Sequence, residues 1–452
     1  MDVARRELRL LAPAALLISL IATGLVVTTN GLVPNPLHIA LMIIACGAYG
    51  AMLVAEPRWG GLSIRVVAIS TLVTAVVAII VVPRFTGDLW SYAMYGRMLG
   101  VHHMSPWTHA PTDVPHDPLL HLVARTWRHT PSVYGPAFTL VSGSAARVLG
   151  TSVVATRVFY QALAAMVLGA GGWLVWRETR SAPAVAFLTV HPLVIMFLVN
   201  GGRNDIMVGV AMLAAVVLVA RRRVGAAGVV AALGALVKIT GVVGIAALFV
   251  TMVARGERRA AYRMLRVAGV VFGVAYLVAG TAALFAPMQT AGALYSDGSA
   301  WSSLSLVGVA LPGTHLALAL LAVVVLVVIV RHARSRSSTA VAAALGMLSL
   351  AAAYTLPGYA AWGLPAAALD HRGRVARILA AAGVVFIVTY EIVQHPFSGV
   401  IGSALHTLAT VGGPLAVLAL VVLLLRTPTP RTQEHLMPVA QLPTLLQQPS
   451  AP

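Results

Sequence analysis

Two polar sites interrupt apolar stretches and have residue types that could bind a phosphate or a sugar. The first is Val199-Asn-Gly-Gly-Arg-Asn-Asp205, whose glycines let the backbone approach a ligand closely. A tight loop with Asp205 capping the next helix is the competing interpretation. The second is Lys238, the only lysine, which lies within the apolar stretch 224–254. Such a lysine usually faces the interior with a partner, either a lipid phosphate or an acid such as Asp205, or it snorkels outward.

The longest non-apolar stretch, 83–134, is the other candidate region. Its aspartates are Asp88, Asp113 and Asp117, and it holds six of the 14 histidines. We predict a helix over Asp88–Arg97 with Asp88 as its N-cap. A second helix is predicted over Asp117–Trp127, with Pro118 at its first position. Apolar stripes with aromatic residues are typical of helices that lie on a membrane interface. In the competing interpretation, the stretch only anchors the protein and Asp88 is only a cap.

The histidines of this stretch do not have the spacing of a metal site. They lie at positions 102, 103, 109, 116, 121 and 129, with no His-x-x-x-His pair and no glutamate between them. The single cysteine, Cys46, excludes an intrachain disulfide and a cysteine-based metal site. No phosphate-binding loop, dinucleotide fingerprint or nucleophile elbow occurs. We therefore predict no cofactor, and the sequence does not require a divalent metal.

The elements that position these residues are membrane helices. The chain is 59% hydrophobic and only 10% charged, whereas a soluble domain is about 25% charged. This excludes a soluble enzyme, a disordered chain and a disulfide scaffold. A spanning helix needs about 20 residues, so the apolar content suffices for roughly 13 spans. Long Ala/Leu/Val/Gly runs lack the alternation of barrel strands, so we predict an all-α bundle.

Arginine clusters predict the topology of this bundle. The apolar runs are about 10–29, 38–55, 66–82, 152–176, 184–199, 206–220, 266–285, 315–330, 339–356, 376–393 and 404–425. Of the 30 arginines, 23 fall in clusters that the positive-inside rule assigns to the cytoplasm. The net charge of +18 therefore indicates topology rather than nucleic-acid binding. We predict an integral plasma-membrane protein with both termini cytoplasmic and 83–134 on the outer face.

Three stretches do not fit a single helix that crosses the membrane. The run 135–150 must enter the membrane and return if the sides are to alternate. Each half of 224–254 has about 14 residues, or about 21 Å of helix, which is shorter than a hydrocarbon core of about 30 Å. We predict a hairpin with Lys238 near its tip, and a second hairpin over 339–369 with Tyr354–Tyr359 at its tip. Short helices at this depth line protein or a watery cavity, so we predict 13 to 15 membrane segments around an outward-opening cavity.

Several motifs in order resemble those of GT-C glycosyltransferases. The segments are Gly87-Asp-Leu-Trp-Ser-Tyr-Ala-Met-Tyr-Gly-Arg97, Ser105-Pro-Trp-Thr108, Trp127-Arg-His-Thr-Pro-Ser-Val-Tyr134, His191-Pro-Leu-Val-Ile195 with Gly201-Gly-Arg-Asn-Asp205, Lys238, and Leu356-Pro-Gly-Tyr-Ala-Ala-Trp362. The resemblance is closest to actinobacterial polyprenol-phosphate-mannose-dependent α-1,6-mannosyltransferases and covers about 84–365. The chain departs from that pattern at three positions, where Arg203 replaces a histidine, His191 an asparagine and Gly358 a tryptophan.

The resemblance implies an inverting glycosyl transfer, most simply of mannose, from a polyprenyl-phosphate sugar on the outer face. The expected partners are this lipid, a glycan or lipoglycan acceptor and the bilayer, with no nucleic acid. Such a transfer needs a general base for the acceptor hydroxyl, and Asp88 is the acidic residue best placed for it. The charge on the leaving phosphate needs stabilising; the candidates for this are Arg203, Lys238, Arg128 and His129. The candidate substrate-binding residues are Tyr92, Tyr134, Asn204, Asp205, Tyr359 and Trp362.

Four regions follow from this interpretation. They are three N-terminal spans (1–82), an outer catalytic loop (83–134), a membrane bundle with the donor-lipid cavity (135–425) and a disordered cytoplasmic tail (426–452) rich in Pro, Gln and Thr. A transporter or flippase of a lipid-linked sugar is the alternative function, because broken helices and an intramembrane lysine also suit transport. A transferase that uses polyprenyl-phosphate arabinose is a further alternative.

Overall fold

The computed structural model describes residues 7–29, 35–83, 87–292 and 295–427. Most of the predicted tail 426–452 lies outside these ranges. Within them the secondary structure is helical and contains no strand. This agrees with the predicted all-α class.

The α-helices, numbered here in chain order, are α1 (Leu11–Thr28), α2 (Asn35–Trp59), α3 (Ile64–Ile80), α4 (Asp88–Gly100), α5 (Arg125–Arg128), α6 (Pro136–Leu149), α7 (Val153–Thr179), α8 (Ala182–Thr189), α9 (Asp205–Ala220), α10 (Val224–Val237), α11 (Gly241–Ala254), α12 (Arg258–Ala279), α13 (Ala282–Gly292), α14 (Ser302–Leu306), α15 (Thr314–Arg331), α16 (Ser337–Ala351), α17 (Leu364–Ala367), α18 (Arg374–Gln394), α19 (Val400–Thr407) and α20 (Gly413–Leu425). Short 3₁₀ segments cover Pro111–Asp113, Leu120–Leu122, Pro357–Trp362 and Ala368–Asp370, and π-helical segments cover Val194–Val199 and Leu408–Gly412.

Six helical segments in the described part of the chain are long and apolar enough to cross a membrane. They are α1, α2, α7, α12, α18 and the continuous segment Val400–Leu425. Between 22% and 56% of the residues in their most apolar windows are buried, so each turns apolar side chains outward, where lipid can cover them. Shorter apolar helices accompany them, and the protein is an all-α, multi-pass membrane bundle. The finer count of 13 to 15 segments stays a prediction.

Both predicted hairpins are present. Helices α10 and α11 have 14 residues each and turn back at Lys238, whose extended backbone ends α10. In the second hairpin, α16 forms the first arm, and a chain of short 3₁₀ and α turns from Pro357 to Asp370 forms the return. Helix α9, α16 and the segment Val194–Val199 are buried almost throughout and form the centre of the bundle.

Two local predictions were wrong. The stretch 135–150 does not enter and return by itself, because Pro136–Leu149 forms the single helix α6. Asp117–Trp127 is not one helix, since only Leu120–Leu122 and the four residues of α5 are helical there. The carboxylate of Asp117 is bound by Arg97 and His102, which lie outside this segment, and does not start a helix.

Helix α4 begins at Asp88 as predicted, but Asp88 is its first helical residue, and Gly87 is the N-cap. The helix does not show one apolar stripe beside an open face. Side chains are buried at most positions, from Leu89 to Met98, because α6 packs along it. The start of α4 is therefore held firmly against the rest of the bundle.

Candidate active site

An ion pair joins the start of α4 to the loop before α9. Arg203 Nη1 donates to Asp88 Oδ2 at 2.8 Å, and the Arg203 side chain is only 3% exposed. The Asp88 side chain is 18% exposed, so it can meet a ligand. The Arg203 guanidinium carbon also lies 4.0 Å from the centre of the Phe197 ring. A cation buried this deeply needs such a partner, because desolvation of an unpaired charge costs several kcal/mol.

The loop that carries Arg203 depends on Gly202. Its φ of +60° falls in the left-handed region, which a side chain makes unfavourable. A Cβ at this position would also lie 2.9 Å from the Cβ of Tyr160. The glycine therefore lets the chain turn tightly out of the π-helical segment and bring Arg203, Asn204 and Asp205 to one place.

A second ion pair lies beside the first. Lys238 Nζ donates to Asp205 Oδ1 at 2.8 Å, and Trp362 Nε1 donates to the same oxygen at 2.9 Å. The ring of Tyr359 stacks on that of Trp362, with centroids 4.2 Å apart. Lys238 Nζ lies 4.5 Å from the Tyr359 centroid and 5.3 Å from that of Trp362. The ion-pair interpretation of Lys238 with Asp205 is confirmed, and the hairpin tip presents the ammonium against two aromatic faces.

Three buried polar atoms near these pairs have no hydrogen-bond partner among the described residues. They are Arg203 Nε, Asn204 Nδ2 and Asp205 Oδ2. Thr240 Oγ1, two residues after Lys238, is a fourth. Buried polar groups in proteins are usually paired. These atoms therefore mark positions where a polar ligand would find donors and an acceptor.

A polar cavity of about 470 Å³ opens in front of the first ion pair. Asp88 and Arg203 line it together with residues from the outer loop, the 295–298 loop, the second hairpin and α18. The lining includes Ala124, Thr126, Trp127, Tyr295, Ser296, Asp297, Tyr354, Thr355, Leu356, Pro357, Phe386, Thr389, Tyr390 and Gln394. Hydroxyl, amide and carboxylate groups stand among apolar ones in this lining, and such a mixture suits a sugar.

A more apolar groove of about 260 Å³ adjoins this cavity. It runs between the tip of the first hairpin and helices α13, α15 and α16. Its lining includes Val133, Lys238, Ile239, Thr240, Pro287, Met288, Ala317, Leu318, Leu321, Leu348, Tyr359 and Trp362. Trp127, Tyr295 and Tyr354 line both the cavity and the groove and form the boundary between them. The site therefore has a polar compartment with Asp88 and an apolar compartment with Lys238.

The other predicted site residues divide into two groups. Tyr92 and Tyr134 are buried behind Asp88, with ring centroids 4.7 Å apart, and the Tyr92 hydroxyl donates to Asn204 Oδ1 at 3.3 Å. They can position α4 and the loop before α9. Arg128 and His129 are not brought to the cavity or the groove. The Arg128 guanidinium donates to the carbonyl oxygens of Val123 and His121, and His129 is exposed.

Several residues that line the cavity or the groove were not among the predicted site residues. Trp127 begins one of the family-like segments, and Tyr354 begins the predicted hairpin tip, so their positions in the sequence could have indicated a role in the site. Thr240 follows the singled-out lysine by two residues and could have been found from the hairpin geometry. Tyr390 is one aromatic residue within a long apolar run, and nothing in the sequence distinguishes it from the lipid-facing residues of that run.

At its far end, α4 is fixed by a buried clamp. Asp117 accepts from Arg97 Nε at 2.7 Å, from the Leu119 amide at 2.9 Å and from His102 Nε2 at 2.6 Å. Burial of the Asp117 carboxyl acts to raise its pKa, but the hydrogen bonds from His102, Leu119 and Arg97 outweigh burial and hold the pKa below its ordinary value. Arg97 Nη1 also donates to the carbonyl of Gly150. The clamp joins α4 to the outer loop and to the end of α6.

The described residues contain no group of three or more His, Cys, Asp or Glu side chains that could hold a metal ion. The charged groups of the site are two ion pairs, Asp88 with Arg203 and Asp205 with Lys238, beside the stacked rings of Tyr359 and Trp362.

Comparison with known proteins identifies the family. The family model described as alpha-(1->6)-mannopyranosyltransferase, N-terminal domain, matches residues 21–255. Alpha-(1->6)-mannopyranosyltransferase A of Mycobacterium tuberculosis (strain ATCC 25618 / H37Rv) is 30% identical over 191 residues, which covers 38% of this chain and 36% of the relative. The match thus spans about a third of the length of that relative. No solved structure matches significantly. Because the family match covers just over half of its residues, the chain belongs to the alpha-(1->6)-mannopyranosyltransferase family.

Proposed function

We propose that this protein is an inverting mannosyltransferase that uses a polyprenyl-phosphate sugar as donor and a glycan or lipoglycan as acceptor, on the outer face of the membrane. The observation that carries the proposal is the pair of joined compartments. An apolar groove lined in part by Lys238 meets a cavity that contains Asp88, across the shared wall of Trp127, Tyr295 and Tyr354. A lipid-linked sugar has the same division into an apolar tail and a polar head.

The groove suits the isoprenoid tail, and its end suits the phosphate. A lysine ammonium has three N–H donors, and Asp205 accepts from one of them. The remaining donors of Lys238 can reach a phosphate, together with the Thr240 hydroxyl, which has no partner among the described residues. Helix α11 begins at Gly241, and the partial positive charge of a helix N-terminus also favours an anion.

In the transfer step, Asp88 takes the proton of the acceptor hydroxyl. The hydroxyl oxygen forms a bond to the anomeric carbon, and the bond from that carbon to the phosphate oxygen breaks on the opposite face. The electron pair of the broken bond leaves with the phosphate, whose negative charge grows by one. Lys238 lies where it can stabilise this charge in a site shielded from water. Arg203 keeps Asp88 oriented toward the cavity through the 2.8 Å ion pair.

The proposed outer-face location rests on which residues lie at the two ends of helices α9 and α10. Helix α9 has Asp205 at its first residue and Arg221 just after its last, and α10 begins after Arg223 and ends at Lys238. The site therefore lies at the end of these helices that is remote from the arginine cluster. The positive-inside rule assigns the arginine-rich end to the cytoplasm, and this supports the proposed outer location of Asp88.

Transfer of radiolabelled mannose from polyprenyl-phosphate mannose in membranes tests the proposal. Asp88→Asn keeps the size of the side chain but removes the base, and we expect about a thousandfold lower turnover. Asp113→Asn is the matched control, since Asp113 is exposed in the same outer loop and should retain wild-type turnover. Wild-type turnover by Asp88→Asn would remove Asp88 as the base.

A panel of polyprenyl-phosphate sugars offered to the purified protein tests the choice of donor. We expect mannose to be transferred and arabinose to be left unused. Donor that crosses the membrane without forming a glycosidic product would instead support the transporter alternative.

A further inference from the structure

A cavity of about 600 Å³ lies at the opposite end of the bundle from Asp88, between helices α2 and α18. Arg377 and Ala380, near the start of α18, line it. Tyr390, near the end of the same helix, lines the polar cavity of the candidate active site. Arg377 and Tyr390 are thirteen positions apart, which corresponds to about 20 Å of helix. The two cavities are thus separate, and the proposed transfer reaction does not use this one.

The mouth of this cavity carries an excess of positive charge. Arg58, Arg372 and Arg377 line it, and all three are exposed, whereas Glu56 is its single acidic residue. Arg372 Nη2 lies 3.2 Å from Glu56 Oε2, so these two charges cancel. Arg58 and Arg377 form no ion pair with any residue that the structure describes. The mouth is left with two arginines that an anion can approach from water.

The inner wall of the cavity is apolar. Cys46, Tyr49 and Leu53 line it from α2, and Ala380 and Val384 line it from α18. Along α2, the distance from Cys46 to Arg58 corresponds to about 18 Å of helix. Val54, which also lines the cavity, is 54% exposed, so the wall is open on the side that faces lipid. This length of apolar wall matches a good part of one acyl chain.

We infer that this cavity binds an anionic glycerophospholipid. Its phosphate lies between Arg58 and Arg377, and one acyl chain lies along the apolar wall formed by α2 and α18. Arginine guanidinium groups bind phosphate through paired N–H donors, and basic pockets between membrane helices on the cytoplasmic side are suited to anionic lipid head groups. A zwitterionic lipid would bring its own positive group to the arginines and bind less well.

Native mass spectrometry of the full-length protein in detergent, titrated with phosphatidylglycerol or phosphatidylcholine, tests this inference. We expect one tightly held phosphatidylglycerol and a preference of about tenfold over phosphatidylcholine. The double variant Arg58→Gln with Arg377→Gln should lose this preference. The matched control, Arg259→Gln with Arg263→Gln, removes the same charge from exposed positions of α12 and should keep it.

A second variant tests, without any change of charge, whether an acyl chain occupies the cavity. A Cβ added to Gly50, which lines the cavity, would meet no atom within 4 Å. Gly50→Leu can therefore fill the cavity without disturbing its walls, and we expect it to lose the bound lipid while all arginines remain. Equal binding of the two lipids by the wild type, or an unchanged preference in the double variant, would overturn the inference. Lipid binding is measured without donor or acceptor, so its outcome is independent of the transfer reaction.

Discussion

Each end of helix α4 has an aspartate paired with a buried arginine, but the two aspartates differ in their exposure and hydrogen bonding. At the far end, the Asp117 side chain is fully buried and accepts from Arg97, His102 and the Leu119 amide. At the near end, Asp88 is 18% exposed to a cavity, and its partner Arg203 has a buried Nε without a hydrogen-bond partner among the described residues. A buried carboxylate with all its hydrogen bonds fixes the helix. A partly exposed carboxylate, whose arginine partner has an N–H left unpaired among the described residues, is available for a reaction.

Substitutions at the two ends should therefore differ in their effect on transfer. Asp117→Asn removes the charge that compensates buried Arg97, and we expect it to lower the free energy of unfolding by about 3–5 kcal/mol. The midpoint of thermal unfolding in detergent measures this loss. Asp88→Asn leaves buried Arg203 without its partner and should also lower that midpoint, but it should in addition lower turnover about a thousandfold in protein that is still folded. A stable, active Asp117→Asn protein would show that the clamp does not hold α4.

The second ion pair allows stability to be separated from donor binding. Replacing both partners, Asp205→Asn with Lys238→Met, removes the buried charges together, so the fold should retain most of its stability. Loss of a hydrogen bond to a charged phosphate is equivalent to about 1.5–3 kcal/mol. We therefore expect the KM for the polyprenyl-phosphate donor to rise by about tenfold to a hundredfold. An unchanged KM in initial-rate measurements would exclude Lys238 from phosphate binding.

The close packing of α6 against α4 helps to position Asp88. A purely steric substitution in this contact should have a smaller effect on stability. A Cβ at Gly100 would lie 2.2 Å from the carbonyl oxygen of Gly143. Gly100→Ala should therefore push the helices apart and destabilise the protein by about 1–3 kcal/mol. Gly24→Ala is the control, because nothing lies within 4 Å of a Cβ at that position of α1. Equal thermal midpoints for the two variants would contradict the close packing.

The pH dependence of stability gives the smallest effect. Because the pKa of Asp117 is lowered in the folded protein, its stabilising contribution is fully present above the unfolded value of about 3.9. It is lost as the pH falls through the lower folded pKa. The difference in thermal midpoint between wild type and Asp117→Asn should still be present at about pH 5 and should shrink as the pH falls below about 4. A difference that grows as the pH falls would contradict the direction of the shift.

Much of this organisation can be predicted from the sequence. The hairpin with Lys238 at its tip follows from two apolar halves too short to span a membrane. The ion pair with Asp205 was one of three open interpretations of that lysine, and Tyr359 and Trp362 were candidates from the family resemblance, in a motif at the second hairpin. The predictions for the hairpin and for Lys238 used composition, length and charge, which can be read locally along the chain.

The rest depends on contacts between distant residues. Trp362 and Asp205 are 157 positions apart, and no spacing rule connects them. Arg128 and His129 were chosen for their charge, but the outer loop folds so that Arg128 caps its carbonyls. The helix predicted over Asp117–Trp127 was lost because the tertiary contacts of Asp117 outweigh its local preference for starting a helix.

The central claim is that the groove and the cavity together hold the lipid-linked donor. A structure of the full-length protein in lipid nanodiscs, with a non-transferable phosphonate analogue of polyprenyl-phosphate mannose, tests it most directly. We predict that the phosphorus lies within about 4 Å of Lys238 Nζ, with the isoprenoid along α13, α15 and α16 and the sugar in the cavity beside Asp88. An analogue bound elsewhere, with its phosphate remote from Lys238 or its sugar outside the Asp88 cavity, would contradict the account.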